Sequence, residues 1–228
     1  MSEYRYEIKF SLDEAMYSEA ISWILTHTSA TKKFNDRYVN SLYFDDSNYS
    51  SVRDNIMGLP ERTKYRLRWY NYENSQSAMS PKFELKIRNG RLGKKKSIDL
   101  PKFSEKFAAL PIKKIESNLK RELVNSNFFL EQHLSPVLAV KYLRQYYEDV
   151  LGLRITIDEN IEFSFVEGMN SKLNLCPKYS HKKYVMELKF DTSLKNYASK
   201  LLSQLNMTPT RHSKYLVGLA GFGSVSYL

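Results

Sequence analysis

PKFELKIRNGRLGKKKS, residues 81–97, decides how the chain is read. Phe83, Leu85 and Ile87 alternate with Lys82, Glu84, Lys86 and Arg88, the period-two pattern of a β-strand with one apolar face. Asn89-Gly90 follows, the strongest short signal for a two-residue hairpin turn. A tight turn there sets Arg88 opposite Arg91, Lys86 opposite Gly93 and Glu84 opposite Lys95. Residues opposed across a hairpin share a face, so Glu84, Lys86, Lys95 and Ser97 line one surface. That surface is either solvated or a charged wall that binds something, and one hairpin is compatible with both.

The same solution recurs outward from it. YRYEIKF (4–10) sets Tyr4, Tyr6, Ile8 and Phe10 against Arg5, Glu7 and Lys9. TKYRLRWYN (63–71) sets Tyr65, Leu67 and Trp69 against Lys64, Arg66, Arg68 and Tyr70. LRITIDENIEF (153–163) sets Leu153, Ile155 and Ile157 against Arg154, Thr156 and Asp158, and YVMELKFD (184–191) sets Met186, Leu188 and Phe190 against Glu187 and Lys189. RYVNSLYFD (37–45) and SPVLAVKYLRQYYED (135–149) also read as strands. Ser11 with Glu14 has the form of a capping box opening a helix to about Thr28, with Leu12, Ala15, Met16, Ala20, Trp23 and Ile24 at helical spacing. A short helix follows residue 45, residues 102–132 read as mostly helical with Pro101 and Pro111 as punctuation, and two helices close the chain over roughly 192–206 and 212–222. No linker, low-complexity run or solenoid repeat interrupts the pattern, so residues 1–228 read as one α+β domain.

Solvated sheet faces usually mix Thr, Ser and Gln with charge; here Arg, Lys and Glu recur at i, i+2 in strand after strand. A single solvated sheet could carry this pattern; the competing geometry is a closed antiparallel barrel, charged inside and clad by helices. Closure removes the sheet edges and gathers cations where Coulomb interactions are strong. Those cations repel one another unless an anion fills the space.

Composition agrees. Lys plus Arg is 35 against 25 Asp plus Glu, a net charge of +10, which suits a polyanionic partner: nucleic acid, a phosphorylated small molecule, polyphosphate or an anionic membrane surface. The single cysteine, Cys176, excludes an internal disulfide and points to a reducing compartment. The amino-terminal residues read as a strand rather than a signal sequence, and no apolar run reaches transmembrane length. A cytoplasmic protein is expected.

Several motifs carry nothing. GRLGKKKS lacks the spacing of a phosphate-binding P-loop. His27, His133, His181 and His212 have no metal-ligand spacing. Cys176 has no evident base beside it. Lys94–Lys96 is split by alternation, Lys95 inward and its neighbours outward, which argues against a nucleic-acid patch.

YRYEIKF, SLYFDD, KYRLRWY, FELKIR, KYLRQYY, RITID, VMELKF and TRHSKYLVGL occur in an order that resembles the VTC (vacuolar transporter chaperone) polyphosphate polymerase domain, within the triphosphate tunnel metalloenzyme or CYTH-like superfamily. The resemblance implies an eight-stranded antiparallel tunnel and transfer of the ATP γ-phosphate onto a growing polyphosphate chain, with Mn²⁺ or Mg²⁺. By position, Arg66, Arg68, Arg144 and Lys214 resemble the residues acting on the transferred phosphate. Lys9, Lys86, Lys95, Tyr142, Lys189 and Ser213 resemble phosphate-binding residues. Glu187 resembles the metal-binding glutamate, with Glu7 and Glu84 as further metal candidates. Guanidinium suits phosphate because it grips the oxygens as a fixed fork, and the metals named take hard oxygen ligands. One departure stands out: Arg5 occupies the place of the first glutamate in E-x-E-x-K, which weakens a two-glutamate metal site and simple triphosphate hydrolysis. The implied partners are ATP and inorganic polyphosphate or triphosphate, with no specific nucleic acid; a membrane-protein partner is left open. The rival readings are an inorganic or nucleoside triphosphatase of the same fold and a non-catalytic polyphosphate- or RNA-binding module.

Overall fold

The computed structural model describes residues 4–71, 79–100, 110–130, 133–166 and 178–226, with 168, 170 and 172 singly. Its elements in chain order are β1 (Arg5–Leu12), α1 (Glu14–His27), β2 (Thr31–Lys32), β3 (Arg37–Asp45), α2 (Ser50–Ile56), β4 (Glu61–Asn71), β5 (Met79–Asn89), β6 (Leu92–Asp99), α3 (Ile112–Asn125), β7 (Ser135–Glu148), β8 (Arg154–Phe165), β9 (Lys178–His181), β10 (Tyr184–Asp191), α4 (Lys195–Leu202) and α5 (Lys214–Gly221). Eight strands pair antiparallel in the order β7-β3-β4-β5-β6-β1-β10-β8, and β8 pairs back with β7 to close the ring. β2 prolongs the β3 side of β7, and β9 prolongs the β10 side of β8. The thinnest seam is β1–β6, held by Arg5–Gly93 and Tyr6–Leu92.

Alternation assigns the two faces. Outward side chains of β1, β8 and β10 (Phe10, Leu12, Ile155, Ile157, Met186, Leu188) pack under Trp23 and Ile24 of α1 and Ala198 of α4. Leu42, Phe44, Leu67 and Phe83 pack under Ile115, Leu119 and Leu123 of α3. The inner face is divided. On β7 the inward series Leu138, Val140, Tyr142, Arg144 runs from apolar to charged, and on β10 Val185 precedes Glu187 and Lys189 on the same face. The apolar end is filled by α5, whose Tyr215, Leu216 and Leu219 join Leu138, Val140, Ile161, Phe163 and Val185 in one core. Gly218 permits this: a Cβ there would stand 2.4 Å from Phe163 and 2.6 Å from Leu138. Tyr215 stacks on Tyr43 at 4.9 Å between centroids and donates to Asp45 Oδ2 at 3.0 Å. α5 thus plugs the barrel and points its amino end at the charged half.

Four sequence expectations are corrected. The cap of α1 is Asp13, which accepts from the Met16 amide at 2.9 Å. Ser11 cannot serve, because it lies in β1 opposite Val185. The buried stripe of α1 is Ala20, Trp23 and Ile24; Leu12 belongs to the strand and Ala15 is exposed. The hairpin turn is Gly90-Arg91, with Asn89 opposite Leu92, Lys86 opposite Lys95 and Glu84 opposite Ser97. Gly90 takes φ 57°, the backbone region glycine enters without penalty. The slip is even, so every side chain keeps its expected face. The closing helices are shorter than expected, α4 being preceded by a 3₁₀ turn at Thr192–Leu194. In the 102–132 stretch α3 is the helix among the described residues; residues 102–109 and Cys176 lie outside them.

Candidate functional site

The charged half of the lumen is a cavity of about 1090 Å³. Arg66, Arg68, Lys86, Arg144 and Glu187 all line it, as one inward face of a closed barrel requires. Four buried carboxylates organise the cations around them.

Glu7 Oε1 takes Lys86 at 2.5 Å and Lys9 at 3.2 Å, and its Oε2 takes Arg88 at 3.3 Å. Burial opposes its ionisation, but the charges of Lys86, Lys9 and Lys189 outweigh burial and hold its pKa well below the usual range. Glu84 Oε2 accepts from both Nε and Nη2 of Arg66 at 2.7 Å and faces Arg68 at 3.7 Å, while its Oε1 takes Lys95 at 2.8 Å. Its pKa also falls despite burial, through Arg66, Arg68 and Lys95.

Asp158 is fully buried and receives Arg144 through two parallel bonds, Nε to Oδ1 at 2.5 Å and Nη2 to Oδ2 at 2.8 Å. Lys214 adds a third at 2.5 Å. Burial again works against the charge, and Arg144 and Lys214 overcome it. Glu187 is held more loosely. Its Oε2 faces Lys189 at 3.1 Å and Arg144 at 3.9 Å, and Lys9 stands 3.6 Å from Oε1. That Oε1 is buried without a hydrogen bond, as is Oγ1 of Thr156, the residue opposite Glu187 in the β8–β10 ladder.

Tyr142 forms an aromatic wall. Its hydroxyl accepts from Arg68 at 3.2 Å, and its ring lies 4.6 Å from the Lys214 ammonium and 5.2 Å from the Arg144 guanidinium. Tyr43 accepts from Arg66 at 3.4 Å; burial raises its pKa, but Arg66 and Arg68 outweigh burial and bring it below the ordinary value. Lys189 is pushed down to about 8 by burial, with Glu7 opposing and Arg144, Arg68 and Arg66 adding to the fall.

The structure therefore brings Lys9, Arg66, Arg68, Lys86, Tyr142, Arg144, Glu187, Lys189, Ser213 and Lys214 to one cavity. Two candidates stand differently. Glu84 lies behind Arg66 and Arg68 with its side chain 2 % exposed. Lys95, expected inward, has a side chain 51 % exposed, because β6 parts from β1 after two residue pairs and leaves it at the open seam. Of the three metal candidates, both oxygens of Glu7 and of Glu84 are engaged by cations, and Glu187 alone keeps one oxygen free of hydrogen bonds. Among the described residues no group of three or more His, Cys, Asp or Glu side chains is placed to hold a metal ion.

Sequence reasoning missed Asp158, Lys64, Tyr43, Arg88 and His212. The first two were on the charged side of their alternating strands, so inward parity was the available signal. Arg88 carried it too. His212 had none: it precedes α5, buried, with both ring nitrogens lacking hydrogen-bond partners. Burial, Lys214 and Lys9 hold its pKa far below the ordinary imidazole range.

A family model described as the VTC domain matches residues 4–222. No curated protein sequence matches significantly. Among solved structures, a Hippeastrum protein assigned as an adenylyl cyclase, with a dominant triphosphatase activity, is 14 % identical with TM-score 0.56, covering 96 % of each chain. A Vibrio parahaemolyticus protein assigned as an adenylate cyclase is 11 % identical with TM-score 0.54, over 96 % of this chain and 99 % of its own. PH1819 of Pyrococcus horikoshii is 12 % identical with TM-score 0.51, over 95 % and 97 %. At these identities the likeness is one of fold, the triphosphate tunnel. No helix among the described residues is long and apolar enough to cross a membrane.

Proposed function

The chain belongs to the VTC domain family, and from that premise we propose that it is a metal-dependent polyphosphate polymerase, moving the γ-phosphate of ATP onto a polyphosphate chain held in the lumen. The observation that carries this reading is the state of the carboxylates. Glu7, Glu84 and Asp158 are each bound at both oxygens by cations. None of these three keeps an oxygen free to take a proton from water, and the free oxygen of Glu187 is the one this reading gives to the metal. Transfer to a polyphosphate end needs no such base, because the attacking oxygen is already anionic. What it needs is in-line positioning and cations on the phosphate oxygens, and Arg66, Arg68, Arg144, Lys86 and Lys214 supply both.

Glu187 Oε1, buried and unbonded, suits a hard divalent cation that completes its shell with substrate phosphate and water. Mn²⁺ or Mg²⁺ held there by Glu187 would supply positive charge to offset that of the phosphates. Arg144, fixed by Asp158, lines the lumen. Tyr142 sets the spacing of Arg68, Arg144 and Lys214 around one wall, and α5 closes the apolar end so that the acceptor enters from the charged side.

Incubation of the protein with ATP and Mn²⁺, resolved by gel electrophoresis, tests this. A polyphosphate ladder is expected; free phosphate alone would identify a triphosphatase instead. Arg5, exposed at the start of β1, leaves the first strand with Glu7 as its lumen carboxylate, which favours the polymerase.

A further inference from the structure

Lys64 differs from the other lumen cations. Lys9, Lys86 and Arg88 share Glu7; Arg144 and Lys214 share Asp158; Lys189 leans on Glu187. Lys64 lines the same cavity and makes no ion pair among the described residues: its ammonium donates to Ser213 Oγ at 2.8 Å. Ser213 is the N-cap of α5, its hydroxyl accepting from the Leu216 amide. The charged groups facing Lys64 are mostly cations: Lys9 on β1, Lys86 and Arg88 on β5, and Arg62 on its own strand, against Glu7 on β1. His212, next to Ser213, adds two buried ring nitrogens without hydrogen-bond partners at the same wall. A helix amino end, an ammonium without a carboxylate and an unbonded imidazole together form a pocket wall that lacks an anion.

We infer that Lys64 and Ser213 form a phosphate subsite whose occupation draws a proton from solvent onto Lys64. The inference rests on the polyphosphate reading of the lumen. An ammonium half-buried among like charges sheds its proton readily, and a neighbouring anion reverses the balance. Burial first, then Lys9 and Arg62, push Lys64 down to about 7, so near pH 8 the side chain is mostly neutral before the phosphate arrives. No bond is made or broken: one proton moves from buffer to Nζ as the anion enters. Neutral Lys64 also relieves the repulsion of the empty lumen.

Calorimetric titration of long-chain polyphosphate at pH 8 tests it, without divalent metal, in two buffers of different ionisation enthalpy. Interior phosphates of the chain carry no proton that titrates near neutrality, so uptake reports on the protein. Wild type is expected to take up most of one proton more than Lys64→Arg, whose guanidinium is charged beforehand. Lys64→Arg should still bind, and Lys64→Met should bind more weakly and without that proton. Melting curves of both variants establish that they fold. Equal uptake by wild type and both variants would overturn the subsite while leaving the polyphosphate reading intact. No binding of polyphosphate by wild type would overturn the two together.

Discussion

Asp158 offers the sharpest test of how the lumen is held. Asp158→Asn keeps the shape and removes the charge that receives Arg144 and Lys214. Arg144 is then left with Glu187 at 3.9 Å as its nearest remaining carboxylate. Lys214 keeps, among the described residues, the face of Tyr142. Removing one member of a buried ion pair costs about 3–5 kcal/mol, since the partner stays buried without compensation. For a chain of this size each kcal/mol moves Tm by roughly 2–4 °C, so the variant should melt on the order of 6–20 °C lower. Under the proposed function polyphosphate should restore part of that loss, because it would supply the missing negative charge to the folded state; saturation at about 100 times Kd is worth about 2.7 kcal/mol. Differential scanning fluorimetry with and without polyphosphate reads both effects. Asp158→Asn combined with Lys214→Met should lose less than the sum of the two single changes, since the second removes a cation the first has stranded. A single variant melting within about 2 °C of wild type, or strict additivity in the pair, would refute the role given to Asp158.

Glu187→Gln should lower turnover on the order of 100-fold, in line with loss of a group aimed at transition-state charge, and abolish tight Mn²⁺ binding while polyphosphate binding survives; unchanged Mn²⁺ titration by electron paramagnetic resonance would make Glu187 a mere partner of Lys189. Gly218→Ala should cost about 1–3 kcal/mol by overpacking the plug against Phe163 and Leu138, and a Tm equal to wild type would mean that α5 does not seat there. Stability without ligand should rise with pH from about 7 upward, because Lys64 titrates near 7 in the fold against an ordinary 10.5 and the unfolded chain holds the extra proton across that window; a Tm that falls steadily from pH 7 to 9, in wild type but not in Lys64→Met, would contradict it.

Parity carried most of the fold. Leu67 beside Arg66 and Arg68, or Leu188 beside Glu187 and Lys189, announces two unlike environments on one strand, and a strand shows that locally. Three things were not local. The first is the bulge at Asn160, which takes φ 51° and shifts the β7–β8 register between Lys141 and Leu143. It turns Ile161 and Phe163 inward, against the parity of Ile155 and Ile157, and so builds the apolar seat for α5. The second is the plug itself: nothing in KYLVGLAG distinguishes a helix inserted into a barrel from one laid on it, except that Gly218 needs a close neighbour to be useful. The third is pairing. Alternation shows that Arg144 and Asp158 face inward, but which carboxylate meets which cation depends on the order of strands around the ring.

Pairing also explains why a lumen built to bind anions contains carboxylates at all. Cations packed into a closed barrel destabilise the empty fold through mutual repulsion, and carboxylates at every cation would leave no field for a ligand. The arrangement found lies between these limits. Arg66, Arg144 and Lys214 are oriented by Glu84 and Asp158. Lys64 and His212, beside the N-cap Ser213, have no such partner among the described residues. Neutralisation is therefore graded along the cavity, strongest around the arginines, where fixed orientation is what the proposed phosphoryl transfer needs. It is weakest at Lys64, where charge can appear when the ligand does. A polyanion entering from the open end meets a wall whose charge rises as it is occupied, and the protein avoids holding that charge while empty.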